Sequence, residues 1–448
     1  MRIKRIRRSH NPIWEGISLI SGNRKTLWAV ALSTFFVFAS FTAYLPVLPL
    51  YLKSLGASNL QVGSVMSAFP IGVLLFRPIT SWLMDRKSRK WTLLYGTISL
   101  AVFSGLYLVS RDLNLLLVVR LLHGSGLAAF TTASIVLISD LTTSQNRGRI
   151  MGIIGVANYM GFGLGPLFAS FLYEHFTITH VFVLNSTLAT LAIVFLFWIY
   201  EVPHPEQDSR RTETIIKTAT QRWFLVPVLF LLIIALVHGG IVIFLPVFLR
   251  EYSDLNAGIF FLVFSMSVLA VRIVAGKVAD EYGRSITIVL ASFVIAASVI
   301  VIGNATTLPL LLLAAFLYGF GYGSQQPSMV ALVADNTSYA NRGALFSIYY
   351  GLFDLGVLLA GYLFGAIGDL FSLQTIFPVA FGIYLLGIFI FVTQTQASPR
   401  MSVKWVFSIR KEGHKCSICG EHITADPCYV CGQRGGYVRD IESTDDSK

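Results

Sequence analysis

The sequence predicts an all-α membrane protein: twelve transmembrane helices in two related six-helix halves, the arrangement of an alternating carrier, with a small zinc knuckle appended. Three observations carry this expectation. The chain of 448 residues is 55% hydrophobic and only 13% charged, where a soluble domain is about 25% charged. Its apolar residues come in runs such as Thr179–Tyr200, which holds one His and no Lys, Arg, Asp or Glu. Such a run is long enough to cross roughly 30 Å of hydrocarbon. Finally, a shift of 195 residues lays Arg77 on Arg272, Asp85 on Asp280, Arg89 on Arg284, Gly124 on Gly319, Gly126 on Gly321, Asp140 on Asp335, Arg147 on Arg342 and Gly148 on Gly343. Charges are rare in this chain, so these coincidences mark an internal repeat, and two such halves around a midplane site suit alternating access.

Taken in order, the expected helices fall near 26–52, 60–84, 91–110, 113–140, 149–173, 179–200, 223–249, 257–280, 285–303, 308–334, 343–367 and 376–394. An even number of crossings puts both ends on one side. Of the 34 Lys and Arg, three (Lys53, Arg111 and Arg250) fall on the opposite side and three (Arg77, Arg120 and Arg272) inside helices. The other 28 share the side of the termini. The positive-inside rule then predicts cytosolic termini, and a plasma-membrane protein is expected. The net charge of +11 is accounted for by topology, which argues against nucleic acid as a partner. The first helix follows a long basic segment and lacks a small-residue cleavage site, so no signal peptide is expected. The expected divisions are a basic N-terminal segment 1–25, a first half 26–200, a linker 201–222 bearing Pro203 and Pro205, a second half 223–396 and a tail 397–448.

After helix 2 the chain reads Ser81-Trp-Leu-Met-Asp85-Arg86-Lys-Ser88-Arg89-Lys90, and after helix 8 Gly276-Lys-Val-Ala-Asp280-Glu281-Tyr-Gly283-Arg284. Both resemble the G-x-x-x-D-R-x-G-R-R loop of the major facilitator superfamily. The second copy has Glu281 for the first Arg, and the first has Ser at both glycine positions. The pattern joins small residues for close helix approach to an acid that can face the positive N-terminus of another helix. The resemblance implies a gate in which Asp85 latches helix 11 near Arg342 and Asp280 latches helix 5 near Arg147, closing the cytosolic side. Arg86, Arg89, Gly283 and Arg284 belong to the same loops. The plainer reading is that these residues set topology and turns.

Helix 4 carries Arg120-Leu-Leu-His123-Gly124. A charge this deep is expensive and commonly faces a cavity. The position resembles the superfamily's helix-4 arginine motif, which is linked with proton-coupled exchange. Arg120 aligns with Ala315 in the repeat, so scaffold needs shared by both halves do not explain it. Helix 5 contains Gly161-Phe-Gly-Leu-Gly165-Pro166, which resembles the antiporter motif G-x-x-x-G-P-x-x-G-G, with plain helix packing as the alternative. On helix 11, Asp354 aligns with Tyr159 and so has no acidic twin. A carboxylate in low dielectric is disfavoured as the charged form, which suits a proton carrier. Asn158, His238, Gln325 and Gln326 are further polar candidates at depth, with Tyr318, Tyr322 and an aromatic stripe on helix 1. For each, a helix-to-helix hydrogen bond or simple packing is the alternative.

All four cysteines lie in the tail, as Cys416-Ser-Ile-Cys419 and Cys428-Tyr-Val-Cys431. This spacing suits a closed, structural tetrahedral zinc site, and resembles short zinc ribbons. The expected function is proton-coupled export of a small, partly hydrophobic solute by a monomer in the bilayer, with a cytosolic partner for the tail. The alternatives are uncoupled or symport uptake of a sugar or metabolite, and a membrane sensor signalling through the zinc tail. No nucleophile–base set is evident, so no enzyme is expected.

Overall fold

The protein is described here from a computed structural model covering residues 21–109, 111–142, 146–199, 219–337, 342–396, 398–407, 414–416, 422–423 and 437–438. The first two helical segments, Ser21–Thr42 and Tyr44–Ser54, are separated only by Ala43 and run as one span, Lys25–Ser54, here α1. There follow α2 (Asn59–Arg86), α3 (Arg89–Leu106), α4 (Leu113–Leu141), α5 (Arg147–His175) and α6 (Ile178–Leu196). After 200–218, which lie outside the described residues, come α7 (Arg222–Tyr252), α8 (Ala257–Tyr282), α9 (Arg284–Gly303), α10 (Leu308–Asp335), α11 (Arg342–Leu370) and α12 (Ile376–Gln394). A short helix, α13 (Pro399–Phe407), packs on α12.

Local chemistry sets the boundaries. Ser58 and Gln61 form a reciprocal capping box at the start of α2, satisfying two of the amides that a helix start leaves open. Asp112 caps α4, accepting from the Leu115 amide, and Asn256 caps α8. Between α8 and α9 the chain turns at Gly283, whose φ of 104° lies in the region that glycine enters without strain. The aligned residue, Ser88, has φ −178°, which is extended backbone, and its hydroxyl accepts from the Trp91 amide to cap α3. Thus the serine in the first loop makes a different turn from the glycine in the second.

Ten helices among the described residues are long and apolar enough to cross a membrane. An eleventh is counted if α8, whose arms Ala257–Arg272 and Val274–Tyr282 meet at 50°, is one span. Of the twelve expected spans, α3 is shorter than expected at 18 residues and is not among those that qualify. It begins on Arg89 and Lys90 and carries Thr92, Thr97, Ser99 and Ser104.

The packing partners recur at an interval of six helices. Helix α2 packs on α4 as α8 does on α10. Helix α3 packs on α4 and α6 as α9 does on α10 and α12. Helix α1 packs on α5 and α6 as α7 does on α11 and α12. Between the two sets the main contacts are α2 with α11, α5 with α8 and α1 with α7, with a smaller one between α2 and α7. The closest approaches repeat at the same offset as the sequence. A Cβ at Gly124 would lie 2.3 Å from the Phe69 carbonyl oxygen, and one at Gly319 would lie 2.4 Å from that of Phe264. Only glycine allows helices to touch backbone to backbone in this way. Gly124→Leu is therefore expected to lower the melting temperature in detergent by about 5 °C or more, since overpacking costs ~1–3 kcal/mol. A thermal melt of the purified variant measures this.

Candidate functional site

The site is the seam where α2 meets α11 and α5 meets α8. At one end of the bundle, the end remote from the start of α1 and the end of α12, the seam is shut. Asp369, near the end of α11, accepts from the amides of Asn59 and Leu60 at 2.7 and 2.9 Å. Its carboxylate therefore sits on the N-terminus of α2, where amides and helix dipole both favour an anion. At the α5–α8 seam, Glu174 accepts from the side chain of Asn256 at 2.8 Å. Glu174 and Asp369 are related by the same 195-residue shift. Further inward, Ser67 donates to the Leu358 carbonyl at 2.7 Å. A Cβ at Gly63 would lie 1.9 Å from the Gly361 oxygen, and one at Gly163 would lie 2.9 Å from the Ser265 Cβ.

Toward the end where α1 begins and α12 ends, here the terminal end, the seam loosens. A Cβ added at Gly152 on α5 or Gly276 on α8 would meet nothing within 4 Å, and one at Gly351 on α11 would meet only Leu74, at 3.9 Å. The structure is thus closed at the remote end and open at the terminal end.

Two arginines bridge the seam where it begins to open. On α2, Arg77 Nη2 pairs with Asp354 Oδ2 of α11 at 2.7 Å. On α8, the guanidinium of Arg272 lies over the Tyr159 ring of α5, 4.6 Å from its centroid. Arg77 aligns with Arg272 and Asp354 with Tyr159, so the repeat places the same crossing contact twice, as an ion pair and as a cation–π contact. Gly155 leaves room for the second, since a Cβ there would lie 2.7 Å from Arg272 Nη1. Arg77 and Arg272 are recognisable in the sequence as deep, repeated arginines, but only Asp354 of these four residues stood among the candidates. The preference for residues lacking a twin led away from the pair that the two halves share.

Arg120 and His123 face elsewhere. Arg120 is buried within the first six helices, its guanidinium 4.5 Å from the Phe69 ring and 5.4 Å from that of Tyr44. Its Nε and Nη1 have no hydrogen-bond partner. His123 Nδ1 stands 3.4 Å from the Tyr107 hydroxyl and its Nε2 is unpartnered. In the second six helices, His238 stacks on Tyr322 at 4.8 Å and its Nδ1 is 3.0 Å from the Tyr318 hydroxyl. Gln325 turns away from the seam, bonding Ser292 and accepting from Tyr384 at 3.1 Å. Gln326 accepts from Tyr349 at 3.5 Å. Asn158, one residue before Tyr159, is half-buried on α5.

The helix-5 motif holds α5 between two neighbours. Gly161 and Gly165 abut the backbone of α1, with virtual Cβ distances of 2.4 Å to the Phe35 oxygen and 2.2 Å to the Ala39 oxygen. The Pro166 carbonyl lies against Gly258 of α8.

At the terminal end, the loop residues pair within their own halves. Arg89 Nε meets Asp140 at 3.1 Å, and Arg284 Nε meets Asp335 at 3.0 Å while its Nη1 meets Asp280 at 2.8 Å. Arg147 donates to the Ser139 carbonyl at 3.2 Å. Arg86 is exposed, over the Trp82 ring. Asp280 and Arg147 are therefore not joined across the seam in this open arrangement. The side chains of Asp85 and Arg342 lie outside the described part of the structure.

In the tail, Cys416 ends β1 (His414–Cys416), which pairs antiparallel with β2 (His422–Ile423) and β3 (Tyr437–Val438). Cys419, Cys428 and Cys431 lie outside the described residues, among which there is no cluster of three or more metal-ligating side chains.

The sequence profile of the Major Facilitator Superfamily matches residues 30–303 and 252–405. The chain is 26% identical over 379 residues to multidrug resistance protein MdtG of Salmonella schwarzengrund (strain CVM19633), covering 81% of this chain and 94% of that protein. The same figures hold for MdtG of Salmonella arizonae. Among solved structures, the fold is similar to the human organic anion transporter MFSD10, with TM-score 0.63, 20% identity and coverage of 82% and 99%. It is also similar to the nucleoside transporter NupG, with TM-score 0.66, 15% identity and coverage of 81% and 97%. A third likeness is to a bacterial homolog of the human lysosomal transporter Spinster, in an inward-facing conformation, with TM-score 0.67, 14% identity and coverage of 85% and 100%.

The paired acids at the remote end give a direct prediction. Removing both, as Asp369→Ala with Glu174→Ala, is expected to open that end. Labelling of a Ser67→Cys reporter by an impermeant maleimide added from that side should rise about tenfold, for the roughly 1.4 kcal/mol that two weakened contacts would shift the equilibrium.

Proposed function

The chain belongs to the major facilitator superfamily, and from that membership we propose that it exports small, partly hydrophobic solutes across the plasma membrane in exchange for protons. As a member it is a transporter, not an enzyme. The relatives named multidrug resistance proteins support the outward direction. The basic residues gathered at the terminal end support a cytosolic assignment for that end, which makes the open side of the structure the loading side. Helix α3 completes an even number of crossings as the twelfth, flanked by spans on both sides of it in the chain.

The observation that carries the coupling is the Arg77–Asp354 pair, which joins the two halves at the floor of the opening. Asp354 stands 12 residues from the start of α11 and 16 from its end, far from either surface. Solute and proton are competing partners for this junction. With Asp354 ionised, Arg77 is held and the halves are tied across α2 and α11. A proton on Asp354 removes the charge that holds Arg77, and the guanidinium is then free to move with its half. Coupling of this kind needs only that the two protonation states favour different arrangements of the halves. Release at the remote end requires the caps of Asp369 and Glu174 to part, while Asp280 and Asp85 come to face the N-termini of α5 and α11 at the closing cytosolic side. Arg120 and His123 form a second polar centre within the first half, packed against Phe69 of α2.

The test is transport by the full chain in proteoliposomes under an imposed pH gradient. Asp354→Asn is expected to lose at least 90% of gradient-driven transport while retaining solute exchange at equal pH. Transport that stays pH-driven in this variant would remove Asp354 as the coupling acid.

For the tail we propose a structural zinc held by Cys416, Cys419, Cys428 and Cys431, offered to a cytosolic protein. The two C-x-x-C pairs fit a tetrahedral thiolate site. Metal analysis of the purified chain should find about one zinc per chain, lost when Cys416 and Cys419 are both changed to Ser. Transport should survive that change.

A further inference from the structure

The charges buried in the membrane do not balance, and the imbalance has a place. Among the described residues, four charged side chains stand six or more residues from both ends of their helices: Arg77, Arg120, Arg272 and Asp354. Three are cations and one is an anion. Arg77 pairs its Nη2 with Asp354, though its Nε, like that of Arg272, has no hydrogen-bond partner. Arg120 is sealed between aromatic rings inside the first six helices. Arg272 stands at the seam, where the repeat supplies an aromatic ring, Tyr159, in the place that holds a carboxylate opposite Arg77. Its Nε is buried with no hydrogen-bond partner.

A guanidinium on a tyrosine face is partly stabilised, but its in-plane N–H groups still call for acceptors, and a carboxylate, sulfonate or phosphonate matches that fork. The surroundings favour the same reading. Arg77 and Arg272, equivalent by the repeat, both cross the seam where it begins to open. From Arg272 a run of aromatic rings leads inward: Tyr159 is 6.3 Å from Phe162, Phe162 is 5.7 Å from Phe264, and Phe264, itself buried, is 5.6 Å from Tyr322. Positive charge at the head of an aromatic wall recognises a ring-bearing anion and repels a cation of the same shape, because the local field is weakly screened there.

We propose that the solute is an organic anion with an aromatic or similarly apolar body, its acidic group held by Arg272 with Arg77 beside it. This rests on the transport reading above and narrows its solute class. An anion in this position supplies the negative charge that Tyr159 does not provide opposite Arg272. It also competes with Asp354 for Arg77, so solute loading and proton loading act on one guanidinium.

The experiment compares two probes of one shape and opposite charge, naphthalene sulfonate and naphthyl trimethylammonium, with the full chain in proteoliposomes. Movement of the sulfonate at least tenfold faster than the ammonium is expected. Arg272→Gln should reduce sulfonate transport about tenfold or more, and Arg272→Lys should restore much of it. Tyr159→Asp, which supplies the missing carboxylate, should depress the sulfonate and raise the ammonium. A melting temperature within a few degrees of the parent identifies variants that fold. Faster movement of the ammonium, or sulfonate transport unchanged in folded Arg272→Gln, overturns the anion inference and leaves the transport reading standing. Movement of neither probe by folded parent protein, with no shift of its melting temperature on adding either, overturns both.

Discussion

A charge in hydrocarbon must find a partner within the protein, because no water is there to hold it. Much of the described structure follows from how four such charges are accommodated. Arg77 reaches across to Asp354, and in doing so fixes α2 against α11 at mid-depth. Arg272 reaches across to Tyr159 and does the same for α8 and α5. Arg120 stays within its own half, wrapped by Phe69 and Tyr44. The two halves touch through small residues and the backbone, which have no preference between arrangements beyond shape. The crossing arginines add contacts whose strength depends on protonation and on what else occupies the opening.

The division of labour along the seam has a physical logic. At the remote end, acids bind helix N-termini or a capping asparagine: Asp369 on α2 and Glu174 on Asn256 of α8. Such contacts are exposed to water, individually weak and readily exchanged for solvent, which suits a gate that must open repeatedly. Close glycine contacts behind them, such as Gly63 with Gly361, give the closed state its fit. At the terminal end the ion pairs lie inside each half, Arg89 with Asp140 and Arg284 with Asp335. They brace the ends of each half and so keep it rigid while the halves move. Rigid halves with weak, exchangeable contacts at the two ends of one seam are what rocking requires.

The internal repeat was both guide and misdirection. It is legible because charges are rare, and the structure repeats contacts at the same offset, with Gly124 and Gly319 meeting Phe69 and Phe264. It also encouraged attention to residues without a twin, Arg120 and Asp354, and left the twinned arginines as scaffold. The relevant asymmetry is one step removed: the arginines are shared, and their partners, Asp354 and Tyr159, differ. The acids at 174 and 369 are likewise twinned, and a scan of aligned helix ends would have found them. Gln325 takes the helix-to-helix hydrogen bonds that were its alternative reading. Its depth was readable, but its bonds to Ser292 and Tyr384 turn it away from the seam.

By itself the sequence determined the helices, the two-fold repeat and the depth of every buried charge, because these follow from hydropathy and from spacing along one chain. The caps at Ser58, Asp112 and Asn256 and the turn at Gly283 are equally local. Only the tertiary structure decided which end is shut and which charge meets which partner. Arg77 and Asp354 are 277 residues apart, and Arg272 and Tyr159 sit on helices of different halves. Whether such residues touch depends on the rotation of each helix about its axis and on the tilt of one half against the other. Those are set by the packing of many side chains at once, and no periodicity in a single chain records them.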